Sequence, residues 1–178
     1  SPNILINNTG GPKPGSFTKQ SISDWHDAIK NNFLSVINFT SVISKEMIKK
    51  KWGRLITISS TLAKEPSPNM VLSSSTRAGV SAFNKSISVE LAEKNITTNT
   101  ILLGGIYTER LINLMKKNSK LNNVNFEKYK KNILKKIPAG RFGEPKEISQ
   151  LVKFLISDSG EYINGQNIII DGGLSKSI

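Results

Sequence analysis

Four short runs of apolar and β-branched residues punctuate the chain: Ile4-Leu5-Ile6, Arg54 to Ser59, Thr97 to Leu103, and Asn167 to Ile170. Each is too short for a helix, and unbroken apolarity suits strands buried on both faces of a parallel sheet. The segments between them repeat apolar residues at three- and four-residue spacing instead. From Ile22 to Lys50 these are Trp25, Ile29, Phe33, Val36, Ile37, Val42, Ile43 and Met47, the pattern of one amphipathic helix. Ser23 or Asp24 is its expected N-cap. Lys45, Lys49, Lys50 and Lys51 crowd its C-terminal end, where the dipole favours cations, and Gly53 is the expected stop. A second helix is predicted from about Met70 to Lys94. A third opens at Glu144-Pro145 and carries Ile148, Leu151, Val152 and Leu155 on one face. Strand–helix alternation of this kind predicts an α/β fold with a parallel sheet and right-handed crossovers.

The stretch between Thr108 and Ile137 breaks the alternation. It is rich in Lys and Asn and weakly amphipathic around Leu111, Ile112 and Met115, then Phe126, Tyr129 and Ile133, which predicts one or two helices outside the sheet. The other irregularity is at the start, where Ser1-Pro2-Asn3 leads straight into a buried-type strand. An apolar first strand makes a poor exposed edge, so a partner or preceding sequence is expected to cover it.

Composition narrows the class. The 178 residues are 37% hydrophobic and 21% charged, which indicates a globular chain rather than a disordered one. No apolar run reaches the ~18 residues of a membrane span and no segment resembles a signal peptide, so a soluble cytoplasmic protein with no membrane partner is expected. Without Cys and with a single His, disulfide scaffolds, thiol nucleophiles and zinc centres fall away, and no metal is expected.

The net charge of +12 invites a nucleic-acid reading, but the excess is local. Residues 116–136 hold eight Lys against Glu127 alone, a net +7 that leaves an ordinary +5 elsewhere. Lys, Ile and Asn make up 62 residues, a bias that coding composition can produce. The basic segment also lacks Arg and interleaved aromatics, so nucleic acid is not an expected partner.

The order of these motifs resembles the short-chain dehydrogenase/reductase family, and in particular its 3-oxoacyl-[acyl-carrier-protein] reductases. Ile4-Leu5-Ile6-Asn7-Asn8-Thr9-Gly10 is similar to the family's strand and Asn-Asn-Ala-Gly turn, with Thr9 in the Ala position. Ile56 to Ser60 is similar to the strand that ends in the family's catalytic Ser. Asn99 to Gly104, followed by Thr108-Glu109-Arg110, resembles the Pro-Gly turn and downstream Thr, with Leu103 standing where Pro is usual. Pro138 to Pro145, and Ile163 through Gly173, match the C-terminal third. Gly10-Gly11-Pro12 and Lys64-Glu65-Pro66 suggest an atypical subgroup.

The resemblance implies the C-terminal part of a Rossmann-like doubly wound parallel sheet, with four strands and flanking helices. Residues 1–178 would form a single partial domain, and 108–137 a helical excursion covering the substrate. The family's upstream Gly-rich pyrophosphate turn has no counterpart here, because no G-x-G-x-x-G cluster occurs in the chain. The implied activity is hydride transfer between NAD or NADP and a carbonyl or alcohol substrate, in a homo-oligomer, either a dimer or a tetramer. The small residues Ala78, Gly79 and Ala82 would allow close approach of helices in such an assembly. Asn8, Gly10, Arg77, Ile106 and Thr108 take the cofactor positions.

For catalysis the resemblance implies Ser60 as the Ser that polarises the carbonyl and Asn32 as the helix Asn of the proton relay. Family spacing counted from Ser60 then places Ser73 where Tyr is usual and Arg77 where Lys is usual. Ser73 and Arg77 are four apart, on one helix face, so the geometry would persist while the chemistry changes. An aliphatic hydroxyl is no substitute for a phenol of tuned pKa, and Arg cannot give up its proton. Arg77 could instead hold ribose hydroxyls or fork onto an anionic group of the substrate, and Tyr107 is a candidate replacement acid. The basic segment could steer an anionic substrate, although a solvated Lys-rich face is the plainer reading. The alternative function is a degenerate member that binds nucleotide or substrate without turnover.

Overall fold

The computed structural model describes residues 2–177. Strands β1 (Ile4–Asn7), β2 (Gly53–Ser60), β3 (Ile96–Leu103) and β4 (Asn167–Ile170) pair in that spatial order, every neighbour parallel. Between them run α1 (Ile22–Ile29), α2 (Ser35–Lys50), α3 (Val71–Ala92), α4 (Glu109–Leu121), α5 (Phe126–Leu134) and α6 (Pro145–Ile156). Successive strand residues face opposite sides of the sheet, and two cores follow from that alternation. Leu55 packs with Met47, Leu91 and Ile96 beneath α2 and α3. Its neighbour Ile56 packs with Ile101, Val152 and Leu155 beneath α6.

Burial on both faces holds for the central β2 and β3 but not for the edge strands β1 and β4. β1 is an edge strand, and Ile4 and Ile6 are 38% and 47% exposed. Both lie in register with Arg54 and Ile56, on the α6 side, where α6 does not reach to cover them.

The single helix expected from Ile22 to Lys50 is interrupted. Lys30–Leu34 form one π-helical turn between α1 and α2. The buried positions run Ala28, Asn32, Val36, Thr40 and Met47, whereas Ile29 and Val42 of the predicted apolar stripe face solvent. Capping also differs from expectation. Ser21 is the N-cap of α1, and Asp24 sits at the third helical position, closing a capping box with Ser21. Lys51, not Gly53, ends α2, adopting a left-handed φ of 51°. Gly53 opens β2 instead, and a Cβ there would lie 2.5 Å from Met47 Sδ. Gly79 has a use inside the chain: its open face meets the Phe33 ring, with a would-be Cβ 3.3 Å from Phe33 Cε2.

α4 and α5 carry a small core of their own, in which Met115, Ile137 and Phe142 pack with Leu111, Ile112, Phe126, Tyr129 and Ile133. The segment that breaks the alternation therefore folds as two helices bound to each other. Among the described residues no helix is long and apolar enough to cross a membrane.

Two carboxylates near helix starts make the fold acid-sensitive. Glu147 receives a bidentate pair of bonds from Arg141 at 2.7 and 2.8 Å, plus the Glu144 N–H, which together hold its pKa at about 2. The Ser21 N–H, aided by Lys13, holds Asp24 at about 2 as well. In the unfolded chain these groups protonate near their ordinary values of 4.5 and 3.8, so it binds more protons than the folded chain as pH falls. Their stabilising effect is complete above pH 4.5 and is lost towards pH 2. Thermal melts across that window should show Tm flat above pH 5 and falling below it, with a shallower fall in Glu147→Gln.

Candidate active site

The carboxyl ends of parallel strands gather loops from one side of the sheet, and sites form in the crevice between them. Here a cavity of about 780 Å³ opens there. Asn8, Gly10 and Gly11 border it beyond β1, Ser60 at the end of β2, and Leu103, Gly104, Ile106 and Thr108 at and after the end of β3. Ser73 and Arg77 reach it from α3, and Arg110 and Leu111 from α4. Seven of the residues singled out from the sequence thus border one cavity: Asn8, Gly10, Ser60, Ser73, Arg77, Ile106 and Thr108.

Ser60 closes β2 and caps the short helical turn at Thr61–Ala63, its Oγ accepting the Leu62 N–H at 3.3 Å. That bond occupies a lone pair and leaves the hydroxyl hydrogen to donate elsewhere. Ser73 is buried on the first turns of α3, where Arg77, one turn on, donates from Nε to its Oγ at 3.0 Å. Again the acceptor side is engaged and the O–H remains to donate. From its other end Arg77 donates through Nη2 to the Gly10 carbonyl, which spans the site from α3 to the turn after β1. Burial, and then the neighbouring Arg110 charge, lower its pKa to about 10, still protonated at neutral pH.

Asn32 lies outside the cavity lining. It is buried in the π-helical turn and donates from Nδ2 to the Thr9 hydroxyl at 3.2 Å and to the Thr9 and Gly10 carbonyls at 3.4 Å. Its place is to hold the turn whose next face meets the cavity. Thr108 lines the cavity and caps α4, accepting the Leu111 N–H at 3.4 Å. Tyr107 does not line it: the ring stacks on Phe142 at 5.8 Å with Lys130 Nζ 5.2 Å from its centroid. The lysines of 116–136 are likewise absent from the lining, and α4 presents Arg110, Leu111 and Leu114 in their stead.

Sequence reading missed Arg110. It donates through Nη2 to the Gly11 carbonyl at 3.0 Å, a contact across 99 residues that no local pattern encodes. Rarity was the available signal, since only four of the 25 basic residues are Arg. Gly11 was missed with it: a Cβ there would fall 2.4 Å from Arg110 Nη2, so any side chain at this position would make the Arg110 guanidinium shift from where it now sits.

The strand-end crevice, bordered by Asn8, Gly104, Ile106 and Thr108, is where the nicotinamide and ribose end of a dinucleotide would fit. For its pyrophosphate the chain offers no Gly-rich strand–turn–helix.

Comparison with known proteins fits this geometry. The family model described as enoyl-(acyl carrier protein) reductase matches residues 1–175. The 3-oxoacyl-[acyl-carrier-protein] reductase FabG of Aquifex aeolicus is 34% identical over 171 residues, covering 96% of this chain and 64% of its own length. The solved structure of YwfH, an NADPH dependent reductase involved in bacilysin biosynthesis, is 34% identical with a TM-score of 0.93, covering 99% of this chain and 68% of that one. An actinorhodin polyketide ketoreductase solved with NADPH is 27% identical with the same TM-score, covering 98% and 68%. The chain thus spans about two thirds of the length of the relatives it matches. A family model matching residues 1–175, with relatives 34% identical and the same backbone course over nearly the whole chain, settles the lineage: the chain belongs to the short-chain dehydrogenase/reductase family.

Proposed function

We propose that the protein is an oxidoreductase that interconverts a carbonyl and an alcohol, using NAD or NADP. The observation that carries this is the meeting of Ser60, Ser73 and Arg77 with the Gly10–Gly11 turn around one cavity. Bound reduced nicotinamide would supply the hydride that the carbonyl carbon accepts. Asn8, Gly10, Ile106 and Thr108 would hold that end of the cofactor. The NADPH in the names of two structural relatives supports nicotinamide use without choosing between the two forms.

The remaining chemistry is the chain's own. Ser60 donates its free O–H to the carbonyl oxygen, orienting it and drawing off charge as the alkoxide forms. The oxygen's proton comes from water. Ser73 passes it on, its second lone pair accepting from water while its O–H donates to the substrate oxygen, and Arg77, fixed in its protonated form, stabilises the negative charge. The step yields an alcohol, with hydroxide left to solvent. No group of tuned pKa replaces the family's phenol, so the relay depends on water rather than on a side-chain acid.

Among exposed apolar side chains, Phe39, Val42 and Val89 support assembly into a homo-oligomer, a dimer or a tetramer. The test of function is nucleotide consumption, with NADH and NADPH in turn, across a panel of ketones, aldehydes and thioesters. Turnover with one nucleotide is expected. Absence of turnover in the wild type, with activity appearing in Ser73→Tyr plus Arg77→Lys, would overturn the reading.

A further inference from the structure

Two of the chain's four arginines converge on one glycine turn, and neither is neutralised. Arg77 Nη2 bonds the Gly10 carbonyl and Arg110 Nη2 the Gly11 carbonyl, and both guanidinium groups border the cavity. Among the described residues neither forms an ion pair, while Arg141 has Glu147. Like charges this close repel, and the arrangement is unfavourable unless something opposes it. Arg110 also occupies the first turn of α4, the helix end at which a cation is disfavoured. A chain with 21 lysines has put its scarce forked cations where local electrostatics oppose them.

We propose that the pair binds the carboxylate of the substrate, which is then an oxo acid with an apolar body. This deepens the reductase reading above and rests on it. Each guanidinium has donors beyond those already used, and two planar forks match the two oxygens of a carboxylate. Ribose hydroxyls, being neutral, give no reason for a second charge. Arg forks hold phosphate as well, but a built phosphate site adds backbone N–H donors to its cations, whereas Gly10 and Gly11 turn their carbonyls to the pair. Leu62, Met70, Leu103, Leu111, Leu114 and Ile148 wall the cavity and set the apolar character of the rest of the ligand. With its carboxylate on the arginines, such a substrate extends into the cavity that Ser60 borders.

The probes are 2-oxo-4-phenylbutanoate and its neutral ethyl ester, titrated calorimetrically into the protein without nucleotide. Losing one charged hydrogen-bonding partner weakens binding by about 10- to 100-fold. The acid should bind that much more tightly than the ester. Arg110→Gln should weaken the acid more than the ester and so shrink the difference about 10-fold or more, and Arg110→Lys should restore it in part. Circular dichroism confirms that each variant is folded, and the acid–ester comparison in the wild type needs no variant. Equal binding of acid and ester, equal weakening of both in Arg110→Gln, or binding of inorganic phosphate more tightly than the acid would each overturn the proposal. A parallel NADPH and NADH titration separates the two readings. Nucleotide binding without acid preference overturns the carboxylate site and spares the reductase. Acid preference without nucleotide binding sustains the site and counts against the reductase.

Discussion

Ser60→Ala should lower the turnover number for carbonyl reduction by about 10²- to 10³-fold, the usual loss when one donor to a developing oxyanion is removed. The Michaelis constant for the nucleotide should hardly move. The Ser60 hydroxyl accepts one bond, from the Leu62 N–H, so its hydrogen is free for the substrate. Alanine removes that donor and loses a single weak cap on a half-buried turn, so the protein should melt close to the wild-type temperature. Steady-state kinetics on the best substrate from the carbonyl panel check this. Unchanged turnover would mean that another group orients the carbonyl.

The largest effect on stability should come from Leu155→Ala, which removes about 2–5 kcal/mol. Leu155 is fully buried and packs with Ile56, Ile101 and Val152 on the α6 side of the sheet. For a chain of this length the fall in Tm should be roughly 5–15 °C. Urea unfolding at fixed protein concentration measures it. A loss under about 1 kcal/mol would show that α6 sits loosely on the sheet.

The strands and the Ser73–Arg77 spacing were legible because they are local. A central parallel strand announces itself by a short run of β-branched and apolar residues, and i, i+4 partners share a helix face whatever lies around them. Ser60 was singled out by the family resemblance alone, and it lies where β2 runs out, on the border of the cavity. Contacts made by tertiary convergence were not legible. Arg110 meets Gly11, and Arg77 meets Gly10, across separations that no window spans. Arg54 shows the same limit: read simply as a strand residue, it is wholly buried, with Trp52 4.6 Å from its guanidinium and bonds to the Gly53 and Asn95 carbonyls. The basic segment reads most plainly as a solvated face, and its lysines do stay outside the lining, while one arginine at the start of α4 enters it. The break after Ile29 was hidden because an extra residue still leaves apolar positions three or four apart.

That break changes how the helical stretch counts its own length. A residue added to or taken from an α-helix swings everything downstream by about 100°, which would turn Val36, Thr40 and Met47 away from the sheet. At the π-helical turn one surplus residue is absorbed as a local widening, so the faces on either side keep their aim. The surplus belongs to neither helix. What it achieves is to place the Asn32 amide sideways, on the turn after β1, so the asparagine and the two arginines grip the Gly10–Gly11 loop from different sides of the fold.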